Sequence, residues 1–311
     1  MELYFMGTNA GVPSLQRNVT SLALRLLEER RSFWLFDCGE GTQHQVLRSP
    51  LRLSKLENIF ITHLHGDHLF GLPGLLSSRA YQGGDTPLSL YGPKGLKKFV
   101  DVTLGISESR VNYELNIHEH SGGVLFEDDT FRVEAALLDH RIDSYGYRII
   151  EKDRPGRLDF ELLDRHGIKP GPLYGKLKRG ENIVTEQGTV VRSSDVVGKP
   201  KRGRIVTILG DTRPCKAAVE LARDADVLVH ESTFLHELRK IAYDYHHSTA
   251  VQAAETAKEA GAHEMILTHF SSRYKDEVQL SPLLLEAEAV FPNSKLAVEH
   301  VLFPVHKHGE S

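Results

Sequence analysis

The segment His63-Leu64-His65-Gly66-Asp67-His68 constrains this chain more than any other six residues in it. Three imidazoles and a carboxylate crowd together directly after the β-rich apolar run Asn58–Thr62. These are ligand types that zinc takes, and a catalytic zinc keeps one position open for water. No regular helix or strand aims all four side chains at one ion. A loop that bends at Gly66 can share them between two neighbouring ions. The expected order is therefore a strand, a ligand loop, then a helix over Gly71–Ala80, where leucines recur at helical spacing. Such junctions carry the chemistry of α/β enzymes, because the scaffold is rigid and the loop backbone is free.

One loop cannot complete two sites, so the missing ligands are sought at other strand ends. His140 follows the apolar stretch Val133–Leu138 and Asp139. The run Arg204–Leu209 ends at Gly210-Asp211-Thr212, and the two carboxylate oxygens of Asp211 suit it to bridging. Asp226–Val229 ends at His230-Glu231, and Met265–Leu267 ends at Thr268-His269. A single histidine at a strand end is more often a satisfied polar residue. Several such ends, in a chain that already holds the cluster, point to convergence. Thr249–Gln252 has the form of a capping box and opens a helix that closes near Gly261. Earlier, Glu2–Met6, Ser21–Leu27 and Ser32–Phe36 read as strands, although the leucines of the second also suit a helix. They lead into a turn at Asp37–Thr42 and a short helix at Gln43–Leu47. The class is α/β with antiparallel elements mixed in, forming one domain over residues 1–311.

Residues 151–204 break this rhythm. They are rich in glycine and proline, and their apolar residues look too sparse for a core of their own. They read as a protruding flexible arm. From Tyr145 to Arg204 there are fourteen Lys and Arg against eight Asp and Glu, a net of +6 in a chain of net -4, which leaves -10 for the rest. That asymmetry points to an anionic partner at one place on the surface.

With only Cys38 and Cys215, a disulfide framework is excluded and a reducing compartment is expected. The opening MELYFMGT lacks the basic and apolar regions of a secretory signal, and no apolar run approaches the roughly 18 residues of a membrane span. A cytoplasmic location without membrane association follows as the expectation.

The pattern HxHxDH, a distant histidine, a GDT aspartate and a TH histidine resembles the metallo-β-lactamase fold superfamily. Within it, FMGTNAGVPSLQRN, FDCGEGTQ, THLHGDHLFGLPGLL, YGPKG, GDTRP, HEST and His247-Ser248-Thr249 resemble the ribonuclease Z family of tRNA 3′-processing endonucleases. The resemblance spans nearly the whole chain. It implies a four-layer αβ/βα sandwich and two zinc ions per subunit. It implies that His63, His65 and His140 bind one ion, that Asp67, His68 and His269 bind the other, and that Asp211 bridges. It further implies Asp67 as proton acceptor, His247 as the group that aids the leaving oxygen, and Glu231 as the residue that orients His247. The basic stretch GIKPGPLYGKLKRG resembles the family's tRNA-gripping arm, with Lys169, Lys176, Lys178 and Arg179 as candidate phosphate contacts. Tyr174 has two open readings, stacking on a base or covering the arm's own backbone. Arg17 and Asn18 belong to a loop associated with the tRNA 3′ end; here it reads Pro13-Ser14-Leu15-Gln16-Arg17-Asn18 and lacks the lysine of the family's PxKxRN. A homodimer acting on precursor tRNA is implied, leaving a 3′-hydroxyl on the tRNA and a 5′-phosphate on the trailer. The alternative is a small-molecule phosphodiesterase or another hydrolase of the same superfamily.

Overall fold

Apolar runs punctuated by turns sort this chain into two seven-stranded sheets. The computed structural model describes residues 1–185 and 188–308. In spatial order the first sheet is Leu302–Pro304, Glu2–Gly7, Ser21–Leu26, Ser32–Phe36, Leu56–Phe60, Leu88–Gly92 and Leu115–Glu119. The second is Ser294–Leu296, Glu264–Thr268, Val227–Glu231, Ile205–Ile208, Tyr145–Glu151, Phe131–Leu137 and Gly123–Glu127. Ser21–Leu26 is a strand, not a helix. It pairs antiparallel on both edges, Leu24 facing Leu3 on one side and Trp34 on the other, and pairing overrides its leucine content.

The sheets share one core. Leu3, Phe5, Trp34, Phe36 and Phe60 of the first meet Phe131, Tyr147, Ile149, Val206 and Val229 of the second. Helices cover the outer faces. Leu72–Tyr81 and Leu96–Ile106 pack Leu72, Leu75, Leu76, Leu96 and Val100 onto Met6, Leu35, Ile59 and Leu90. Ala250–Ala260 lays Ala253, Ala254 and Ala257 on Leu228, Met265 and Leu267, with Leu280 and Leu283 of Glu277–Glu288 alongside. The four layers, helix, sheet, sheet, helix, are those expected. Burying each large side chain is worth about 1.5–3 kcal/mol, so the strand ends stand on a stiff base.

Those strand ends are what the fold supplies to chemistry. Ser32–Phe36, Leu56–Phe60 and Leu88–Gly92 run parallel, as do Ile205–Ile208, Val227–Glu231 and Glu264–Thr268. Their carboxyl ends lead into Asp37, His63, Asp211, Glu231 and His269. The expected helix after the cluster is Leu72–Tyr81, with proline in its first turn. Thr249 and Gln252 form the capping box, and Gly261 closes that helix with φ 67°.

Residues Glu151–Arg204 form a compact unit separate from the one made by residues up to Ile150 and from Ile205 onward. This unit has its own core, contrary to the sequence expectation. Leu158, Leu163, Ile168, Leu177, Ile183, Val191 and Val196 are buried together. Leu163, Leu177 and Val196 come from the helices Phe160–Arg165, Pro172–Lys178 and Ser193–Val196, Ile183 and Val191 from a hairpin that pairs them, and Leu158 and Ile168 from the connecting segments. Asp159 caps the first helix by accepting from the Leu162 N–H at 3.0 Å. Buried Glu151 pairs with both Arg154 and Arg204. Tyr174 serves this core: its hydroxyl donates to the Ile168 carbonyl at 3.2 Å, and its ring lies 5.9 Å from that of Phe160.

Candidate metal centre

The cluster divides between two kinds of backbone. His63 and His65 lie on the loop after Leu56–Phe60, whereas Asp67 and His68 ride on a single helical turn, Gly66–Leu69. The expectation of loop throughout is thus half right; one turn places Asp67 and His68 side by side. The loop is fixed from below by Asp37, whose carboxylate accepts the Thr62 N–H at 2.7 Å and the Thr62 hydroxyl at 2.8 Å. Asp37 and His269 hold φ of 56° and 57°. That costs about 1–3 kcal/mol for a residue with a side chain and is tolerated where the surroundings over-determine it. Two glycines permit the close approach of the other segments. A Cβ on Gly39 would lie 2.3 Å from the Asp67 carbonyl oxygen, and one on Gly210 would lie 2.7 Å from Thr62 Cβ.

The predicted ligands converge. His63, His65 and His140 form one group and Asp67, His68 and His269 another, with the ligand atoms of each within 4.8 Å of one another. In the first, His65 Nδ1 is 3.0 Å from His63 Nε2 and 3.3 Å from His140 Nε2. In the second, His68 Nε2 is 3.2 Å from His269 Nε2, and Asp67 Oδ2 is 3.5 and 3.4 Å from these two nitrogens. Asp211 faces both: Oδ2 is 3.7 Å from His63 Nε2 and 3.4 Å from His269 Nε2, and Oδ1 is 3.5 Å from His68 Nε2. Tetrahedral ligands about 2.05 Å from a zinc ion stand roughly 3.3 Å from each other, so this spacing fits such an ion.

Proton accounting points the same way. A neutral imidazole has one N–H. His68 spends its own on Asp37, Nδ1 to Oδ2 at 2.7 Å, and His140 spends its own on the His246 carbonyl at 2.8 Å. The Thr62 hydroxyl donates to Asp37 and so accepts from His63 Nδ1, 3.0 Å away. The Thr233 hydroxyl donates to Glu231 at 2.7 Å and so accepts from His269 Nδ1 at 3.1 Å. With these imidazoles neutral, four Nε2 lone pairs and two carboxylates face inward, and His65 Nδ1 points at His63 and His140. Such outward anchors are what fix ligand orientation in metal sites.

The electrostatics match. Burial, reinforced by His68, pushes the His63 pKa well down. Burial would raise Asp67 and Asp211, yet the surrounding histidines hold both far below the usual carboxylate range. Burial opposes a charge on His68, but Asp211, Asp67 and Asp37 overcome it and push His68 well up. The centre attracts positive charge, and a divalent cation answers that demand better than a proton.

Beside the ligands, His247 Nδ1 lies 2.9 Å from Glu231 Oε1. Glu231 is buried and also accepts the N–H groups of Thr212 and Thr233, both at 3.1 Å. Burial disfavours a charged His247, but the Glu231 carboxylate outweighs this and pushes it up to about 9. Sequence reading missed Asp37, Thr62 and Thr233 as anchors. A signal existed for Asp37, which follows a strand in DCGEGT just as Asp211 does in GDT.

Arg17 and Asn18 do not lie open for substrate. The Arg17 guanidinium donates to Asn9 Oδ1 at 2.8 and 3.2 Å and to the Tyr274 carbonyl, and the Asn18 carbonyl accepts from Thr8 and Asn9. Both are buried, whereas Leu15 of the same loop is fully exposed. In the other unit Lys169, Lys176, Lys178 and Arg179 are exposed, with Arg179 paired to Glu181 at 2.8 Å.

Residues 179–270 match the beta-lactamase superfamily domain model, and residues 1–114 match that of the Anti-Pycsar protein Apyc1. Ribonuclease Z of Geobacillus kaustophilus is 55% identical over 305 residues, covering 98% of this chain and 99% of the relative. Ribonuclease Z of Anoxybacillus flavithermus is 54% identical over 309 residues, covering 99% of each. The solved structure of human tRNase Z, short form, superposes with a TM-score of 0.73 at 30% identity, covering 99% of this chain and 100% of that one. These likenesses cover 98–99% of the chain. The chain belongs to the ribonuclease Z family.

Proposed function

We propose that this chain is an endoribonuclease that removes the 3′ trailer from precursor tRNA, with two zinc ions held by His63, His65, His140, Asp67, His68, His269 and a shared Asp211. The end-to-end match to ribonuclease Z chains carries this reading, and the paired ligand groups meeting at Asp211 supply the chemistry it needs. Zinc bound by these residues would supply Lewis acidity toward phosphate and would lower the pKa of water toward ~7.

The chain's own groups do the rest. Asp67 is held ionised, and its Oδ2 accepts the Gly11 N–H at 2.7 Å, so its carboxylate is fixed in direction and ready to accept a proton from attacking water. The water oxygen bonds to phosphorus and the bond to the ribose 3′-oxygen breaks. That oxygen is a poor leaving group and needs a proton. His247 has Nδ1 against Glu231, which leaves Nε2 to give one. The products are a tRNA with a 3′-hydroxyl and a trailer with a 5′-phosphate.

Two zincs cleave many phosphodiesters, so selection of tRNA needs contacts away from the cut. Lys169, Lys176, Lys178 and Arg179 serve as phosphate contacts that position without reading bases. The Arg179–Glu181 pair is exposed and holds Arg179 only weakly. The enzyme acts as a cytoplasmic homodimer, one subunit's arm holding the tRNA that the other cuts. No helix among the described residues is long and apolar enough to cross a membrane.

The test is cleavage of a 3′-extended tRNA alongside metal analysis. The wild-type chain releases one trailer per tRNA, and Asp67→Ala is slower by about a thousandfold. An unaltered rate in Asp67→Ala, or no cleavage by the zinc-loaded wild type, refutes the reading.

A further inference from the structure

Glu299 stands far from the ligand segments in sequence and takes no part in the chemistry above, yet one of its oxygens gathers three donors. Oε1 accepts the Thr8 N–H at 2.9 Å, the Thr8 hydroxyl at 3.1 Å and the Asn18 N–H at 3.0 Å. Thr8 and Asn18 are the two ends of one loop. The Asn18 carbonyl accepts from Thr8 and Asn9, and Arg17 ties back to Asn9 within it. Glu299 therefore staples the base of the loop shut.

From that base two paths run into the second ligand group. Gly11 donates its N–H to Asp67 Oδ2 at 2.7 Å. Phe270, the residue after His269, donates to the Thr8 carbonyl at 2.8 Å and accepts from the Ala10 N–H at 2.9 Å. His269 needs such bracing, because its φ of 57° is costly for a residue with a side chain. The first ligand group is held from elsewhere, His63 by Thr62 and His140 by the His246 carbonyl.

We propose that Glu299 is a positioning residue for the metal site formed by Asp67, His68 and His269, acting through the Thr8–Asn18 loop and leaving the His63, His65 and His140 site untouched. This rests on the metal assignment made above and adds to it a selectivity between the two ions. Removing a group that touches a metal ligand weakens metal binding by about 10- to 100-fold. Glu299 acts one step further back, through Thr8 and Asn18, so the lower end of that range is expected, and it falls on one ion of the pair.

The experiment is a titration of the zinc-loaded enzyme with a chromogenic chelator, together with kinetics on a small phosphodiester. In Glu299→Ala one zinc per chain leaves at about tenfold lower chelator concentration than in the wild type, and the other leaves as before. The kcat on the small ester falls with the first zinc while KM stays fixed. Glu299→Gln, which keeps an acceptor oxygen, falls between the two. Glu299→Ala with wild-type chelator resistance overturns the proposal, and so does parallel loss of both zincs. If the alanine variant does not fold, the glutamine variant decides: weaker retention of one zinc supports the proposal, and wild-type retention of both overturns it. Cleavage of precursor tRNA by the wild type is scored separately, so a failed substrate assignment is distinguishable from a failed role for Glu299.

Discussion

The candidate metal centre and the basic unit present their charged side chains in opposite ways. In the centre four of the ligating histidines have a second partner that fixes their direction: Thr62 behind His63, Asp37 behind His68, Thr233 behind His269, the His246 carbonyl behind His140. In the unit Glu151–Arg204 the side chains of interest are exposed lysines on short helices and turns over a small apolar core. Chemistry requires groups held still in low dielectric, where an uncompensated charge is expensive. Holding a phosphate backbone requires long cations free to adjust, and each contact is cheap to lose. Substitutions in the two regions should therefore differ in kind as well as in size.

The largest effect is expected at Asp211, which faces both ligand groups. Asp211→Ala should lower kcat on every phosphodiester by about a thousandfold or more, measured on tRNA and on a small ester alike. Next is His247→Ala. It should cost about 10²–10⁴-fold on tRNA and far less on an ester with a nitrophenolate leaving group, which needs no proton. Equal losses on both substrates would remove His247 from its assigned step. In the basic unit, replacing Lys169, Lys176 and Lys178 by alanine should raise KM for tRNA and leave the small ester alone. It should also reduce the dependence of log KM on log salt by up to about three. A fall in small-ester kcat would break the division of labour drawn here.

The smallest effect concerns stability. Burial pushes the His120 pKa down to about 4. The Tyr147 hydroxyl donates to the Ile61 carbonyl at 2.6 Å and so accepts from His120 Nε2 at 3.2 Å, while His120 Nδ1 accepts the Gly122 N–H. The folded chain thus prefers neutral His120, and the unfolded chain takes up its proton near pH 6.5. Stability should fall as pH drops from about 6.5 toward 4, and the acid limb should flatten in His120→Gln, measured by urea unfolding.

The convergence of residues that end apolar strands was legible in the sequence, because a strand that stops at His or Asp advertises itself locally. The anchors behind them were not. Asp37 meets His68 across 31 residues and Thr233 meets His269 across 36, and only folding brings such pairs together. Arg17 was a candidate substrate contact because its loop resembles the family loop associated with the tRNA 3′ end; in the folded chain Asn9 and the Tyr274 carbonyl hold its side chain. The small core of Glu151–Arg204 escaped notice because Leu163, Leu177 and Val191 follow no period and belong to different elements. The one-turn helix under Asp67 and His68 is too short for any periodic signal.

The proposed chemistry requires two triads and Asp211 to hold a pair of adjacent divalent cations. The decisive measurement is zinc per chain after loading with excess zinc and removal of unbound metal. Two ions per wild-type chain are expected, and fewer than two in Asp211→Ala. A wild-type chain that keeps one ion or none, with its seven ligands intact, contradicts the proposal.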